Sequence, residues 1–204
     1  MDSYDHLQGG AKTWSYHNDL KKPWSLRRTC TGSRQERDQI PPNVGHLLSV
    51  AGIALDYGAN EEEAIAALLH DAVGHQGGAA TREVIREHFG DQVVAIVMGC
   101  SDAEGEPKPP WQGRKEAYLA RLPHESVSVR LVSAADKLHN ARSILMDYRR
   151  LGKELWSRFK GDKEGTLWYL RSLVPVFRSA GSTPLIDELD RVVTELERVC
   201  GAGE

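Results

Sequence analysis

The chain has 204 residues, 40% hydrophobic and 27% charged, with a net charge of −3 at pH 7. At roughly 150 residues per domain this is one globular domain with room for an appended segment. The charge balance argues against the basic face of a general binder of extended nucleic acid. Cys30, Cys100 and Cys200 are far apart and odd in number, which argues against a disulfide framework and for a reducing cytoplasm. No run approaches the 18 or so apolar residues of a membrane span. The N-terminal stretch MDSYDHLQGGAKTWSYHND has no apolar centre for a secretory signal.

Residues 1–43 form a poorly patterned segment, broken by Pro23 and by Pro41-Pro42. Periodicity starts at Val44. In HLLSVAGIALDYG, Leu47, Leu48, Ala51 and Leu55 make a helical stripe that ends at Gly58. Asn60 is placed to cap a second helix whose first turn holds Glu61, Glu62 and Glu63. Its second half, AIAALLHDAV, is almost wholly apolar, and the pattern stops near Gly74. A third helix is expected from Thr81 to Gly90 and a fourth across QVVAIVMGC. After a proline-rich loop come helices near 113–121, 125–150, 164–179 and 184–199. Strand signals are nearly absent, so the expected class is all-α, with residues 44–200 as a single domain.

Four residues stand out against this background. His70-Asp71 ends the most apolar helix, Asp136 lies within LVSAADKLHNARSIL, and His46 opens an apolar helix. A buried imidazole or carboxylate without a partner costs several kcal/mol. A divalent cation removes that cost at all four positions at once, because it takes imidazole nitrogen and carboxylate oxygen together.

The pattern H-x(23)-HD-x(64)-D, with ALLHD on one helix and ADKLHNAR on another, resembles the HD superfamily of metal-dependent phosphohydrolases. Within it the chain is similar to the small alarmone hydrolases and to the hydrolase half of the Rel/Spo proteins of the stringent response. The likeness covers roughly residues 44–150. It implies a bundle of about eight to ten helices, metal ligands His46, His70, Asp71 and Asp136, manganese as the usual metal, and a small nucleotide such as (p)ppGpp as substrate. It also implies that Asn140, one turn after Asp136, lines the site. Phosphate-binding candidates are Lys137 and Arg142 on the same helix, Arg114-Lys115 in a segment like the family's basic ERK stretch, and Arg37. Of the family's basic Gly-Thr stretch upstream, only Arg37 and a proline remain, and a reading-frame disturbance ahead of Val44 is one account of that loss.

The family carries a Glu-Asp pair three and four residues past the HD aspartate, which orients the attacking water. Here those positions are Gly74 and His75. His75 can serve as a base, as an extra ligand, or as a loop residue without a role. The expected activity is therefore metal-dependent phosphohydrolysis of a nucleotide phosphate or pyrophosphate ester. The rival is an HD-fold protein that binds metal or nucleotide but has lost turnover. A di-iron oxygenase is a third reading, with only His75 and His88 available as extra ligands. The sequence leaves the oligomeric state open.

Overall fold

A computed structural model describes residues 44–75, 78–102 and 109–201. Arg37 and the rest of the first 43 residues lie outside the described residues. All regular structure among the described residues is helical: α1 (Val44–Asp56), α2 (Glu61–Leu69), α3 (Ala72–His75), α4 (Gly78–Cys100), α5 (Trp111–Arg121), α6 (Val127–Leu151), α7 (Asp162–Ser179) and α8 (Pro184–Gly201), with 3-10 turns over Leu122–His124 and Gly152–Arg158. The all-α class agrees with expectation. Apart from the single turn Ala72–His75, seven helices are counted among the described residues, slightly below the eight to ten expected.

Local chemistry sets the boundaries. α1 closes in a Schellman arrangement: Ala59 N–H donates to Ala54 O at 2.9 Å, Gly58 N–H donates to Leu55 O at 3.0 Å, and Gly58 takes a φ of 90°. Two residues later Asn60 opens α2 with a full capping box. Its side chain accepts from Glu63 N–H at 2.9 Å, and Glu63 accepts from Asn60 N–H at 2.8 Å. The expected break between a third and a fourth helix is present as Gly90, with φ 82° and ψ 175°, inside α4. The third helix starts earlier than expected, at Gly78, so Thr81 is a buried residue within it rather than its opening. The second helix also ends earlier than its apolar run. It stops at Leu69, His70 and Asp71 form a turn, and a new short helix runs from Ala72 to His75.

α6 is the central element. It packs against α1, α2, α4, α7 and α8 and buries Val129, Val132, Leu138, Ala141 and Leu145 at helical spacing. Ser126 caps its start, accepting from Val129 N–H at 3.2 Å. α8 runs parallel to it, since Arg142 meets Glu188 at 2.8 Å and Arg149 meets Glu195 at 2.9 Å, seven residues further along both helices. One contiguous apolar core extends from Val50 on α1 to Cys200 on α8.

Candidate metal centre and adjoining cavity

The four residues singled out by the sequence come together where α1, the α2–α3 turn and α6 meet. His46 Nε2 lies 3.2 Å from His70 Nε2 and 3.3 Å from Asp136 Oδ1, and His70 Nε2 lies 3.5 Å from the same oxygen. His46, His70 and Asp136 thus offer three donor atoms in one compact group. Donors about 2.1 Å from a common centre stand roughly 3.0–3.4 Å apart at octahedral or tetrahedral angles, so this triangle fits a divalent cation. Asp71 stands at its rim. One of its oxygens is 3.5 Å from His70 Nε2 and the other 3.9 Å from His46 Nε2, and its side chain keeps 34% exposure.

The turn between α2 and α3 explains the placement. By leaving the helix at His70, the chain sends a buried imidazole inward and the next carboxylate toward the opening. The His70 ring is fixed from behind, with Nδ1 2.8 Å from Ala67 O, so that Nε2 faces the group. Burial alone would lower the His70 pKa, but the hydrogen bond and charge of Asp136, joined by the charge of Asp71, raise it above its ordinary value. Burial likewise opposes the charge on Asp136. Lys137 and the hydrogen bonds from His46 and His70 nonetheless hold that carboxyl well below the usual range. A cation would compete with protons for the lone pairs of these groups.

Asp136 is anchored through both oxygens. Asn140 Nδ2 donates to Oδ1 at 2.8 Å, and the Lys137 ammonium pairs with Oδ2 at 2.5 Å. His139 lies with Nδ1 2.8 Å from His46 Nδ1.

Beside this centre is a cavity of about 370 Å³ lined by Lys115, Lys137, Asn140, Lys160, Tyr169 and Trp111, among others. Lys115 and Arg114 share Asp102, at 2.7 and 2.6 Å, and the Lys115 ammonium sits 4.6 Å from the centre of the Tyr169 ring. Burial and repulsion from Lys137 pull the Lys115 pKa below its ordinary value. The Tyr169 hydroxyl is buried and has no hydrogen-bond partner among the described residues, and burial pushes its pKa up to about 12. Trp111 packs edge-on against Tyr169 and lies over Gly161 and Gly165. A Cβ at Gly161 would meet the indole at 2.6 Å.

The other sequence candidates fall as follows. Asn140, Lys137 and Lys115 line the cavity, and Arg114 supports Lys115 through Asp102. Arg142 is turned away, paired with Glu188 on the outer α6–α8 surface. His75 ends α3, and its side chain lies outside the described part. His88 is exposed and bonded to Val84 O on its own helix, away from the centre. Sequence reasoning missed Tyr169, Lys160 and Trp111. A tyrosine in LWYLRSLV reads as core, and nothing along the chain marks its hydroxyl as unpaired. For His139 the signal was present: Asp136, His139 and Asn140 stand at i, i+3 and i+4 on one face of a helix.

A family model described as HD domain matches residues 24–167. The chain belongs to the HD-domain family. The match begins ahead of Val44, in the poorly patterned segment. This HD domain is 37% identical to the guanosine-3′,5′-bis(diphosphate) 3′-pyrophosphohydrolase MESH1 of Xenopus tropicalis over 129 residues, 61% of this chain and 67% of that protein. It is 35% identical to the human MESH1 over 133 residues, 62% of this chain and 69% of that one. Among solved structures it is similar to lmo0812 from Listeria monocytogenes, with a TM-score of 0.64, 28% identity, and coverage of 78% of this chain and 99% of that one. The fold is shared with a metazoan ortholog of SpoT that hydrolyses ppGpp, at a TM-score of 0.65 and 21% identity over 90% of this chain and 95% of the other. These relations place this HD domain among the metal-dependent phosphohydrolases.

Proposed function

We propose that this HD domain hydrolyses a guanosine nucleotide bearing a 3′-pyrophosphate, of the (p)ppGpp type, using Mn²⁺ held by His46, His70 and Asp136 with Asp71 as a fourth ligand. The observation that carries the reading is the pairing of the donor triangle with a basic cavity sharing one helix. Asp136 belongs to the triangle, while Lys137 and Asn140, its near neighbours, line the cavity. The likeness to MESH1 supports the substrate class.

A metal held by His46, His70, Asp71 and Asp136 would supply Lewis-acid chemistry, acidifying water and offsetting phosphate charge. The residues do the rest. Lys115 and Lys160 face the phosphates, and the Tyr169 hydroxyl is a free donor to a phosphoryl oxygen. An entering anion would also relieve the repulsion between Lys115 and Lys137. Asn140 and Lys137 keep Asp136 ionised and oriented.

Phosphate release from ppGpp with Mn²⁺ tests the reading. Bound Mn²⁺ with no release from ppGpp or other nucleotides sinks the hydrolase and leaves a binding protein, the reading that Gly74-His75 favours. Two equivalents of iron would instead revive the oxygenase. Restoring the acids by Gly74→Glu with His75→Asp is expected to raise kcat by about 100-fold or more, the scale of a positioned acid–base group. Abolished activity would instead identify His75 as the working base.

A further inference from the structure

His46 is engaged at both ring nitrogens. Nε2 points into the donor triangle, and Nδ1 lies 2.8 Å from His139 Nδ1, with the two rings edge-on at 61° and 4.8 Å between centres. An N···N contact of this length is a hydrogen bond that needs one donor and one acceptor. When Nε2 of His46 gives its lone pair to a cation, its only proton is on Nδ1, so His139 must accept through Nδ1 and carry its own proton on Nε2.

The other donors are held in a comparable way. His70 has its Nδ1 on Ala67 O, an obligate acceptor, and Asp136 has Asn140 and Lys137. We infer that His139 is a positioning residue for His46: its Nδ1 accepts the His46 Nδ1–H and fixes the tautomer and tilt that present Nε2 to His70 and Asp136. The position suits the task. His139 lies three residues after Asp136 on α6, so one helix face carries a ligand and the brace for a ligand on α1. Outer partners of this kind set ring orientation and ligand basicity. The inference rests on the metal-site reading above.

The test uses the full chain and Mn²⁺ alone, with free Mn²⁺ followed by electron paramagnetic resonance. His139→Leu removes the acceptor, and His139→Asn returns one, because an asparagine amide oxygen reaches the place of Nδ1. The expected result is Mn²⁺ affinity weakened about 10–100-fold in His139→Leu and largely recovered in His139→Asn. His139→Leu binding like the native chain, or His139→Asn as weak as His139→Leu, overturns the inference. His139 is half-buried, and thermal unfolding of the metal-free variants checks that both fold. A separate measurement on the native metal-free chain, the ¹⁵N–¹⁵N coupling across the His46–His139 hydrogen bond, guards the result. Its absence overturns the inference whatever the metal does. If the coupling is present and the native chain takes up no Mn²⁺, the metal reading has failed, and the role of His139 falls with it.

Discussion

At the scale of single residues, Asp136 and Tyr169 carry opposite kinds of stress. Asp136 is a buried carboxylate with more partners than it has oxygens, and neighbouring cations hold it ionised. Asp136→Asn removes the charge that joins the two histidines into one donor set. Since losing an outer partner costs about 10–100-fold in affinity, losing a proposed ligand should weaken Mn²⁺ binding by more than that, as read by calorimetric titration. Tyr169 has the reverse problem, a buried hydroxyl with no partner among the described residues. Tyr169→Phe should therefore raise the unfolding free energy by about 1 kcal/mol while raising the KM for ppGpp. A stability gain with unchanged KM would remove Tyr169 from the substrate site. The two residues also differ in how far the sequence exposes them. An aspartate in a run of alanines and leucines conflicts with its surroundings and can be spotted. A tyrosine among leucines agrees with them, and only its hydroxyl, known from the fold, does not.

At the scale of elements, the helix ends marked by glycine or a capping side chain were legible, because capping chemistry is local. Gly58, Asn60 and Gly90 act where the chain said they would. Asn60→Ala breaks a reciprocal capping box and should cost about 1 kcal/mol in chemical denaturation. What the sequence could not show was the turn at His70-Asp71, since an apolar run continues through it and periodicity gives no sign of a break. Arg142 was misplaced for a related reason. A basic residue near the site in sequence lies on another face of α6, six residues and about 600° of rotation past Asp136, where it pairs with Glu188 of α8. That ion pair has a pH signature. Hydrogen bonds from Arg191 and then Arg142 lower the Glu188 pKa from 4.5 to about 2. A carboxyl with a depressed folded value stabilises the fold above its unfolded value and loses that contribution as pH falls through the folded one. The contacts of Glu188 with Arg191 on α8 and with Arg142 on α6 should weaken between about pH 4.5 and 2. Glu188→Gln should flatten the loss of thermal stability across that window, and an unchanged slope would show that these two pairs contribute nothing.

At the scale of the whole molecule, the donor triangle draws on α1, the α2–α3 turn and α6, and the cavity on α5, α6 and the chain from Phe159 through α7. The all-α class and the meeting of His46, the His70-Asp71 pair and Asp136 could be read from periodicity and from conflict between residue type and surroundings. The cavity could not, because its wall forms only when Trp111 of α5 settles on Gly161 and Gly165 at the start of α7. Gly161→Ala should push that indole aside and raise the KM for ppGpp while leaving Mn²⁺ affinity unchanged. Equal losses in both would mean that the two regions are coupled. Among the described residues α6 serves both, and there the coupling is unavoidable. Asp136, Lys137, His139 and Asn140 occupy a little over one turn of one rod, each aimed by the rotation of that rod. One residue inserted upstream of Asp136 turns everything after it by about 100°. The proposed handling of cation and nucleotide is thus geared to a common shaft: a single exchange along it disturbs one contact, whereas a drift in its phase would disable both.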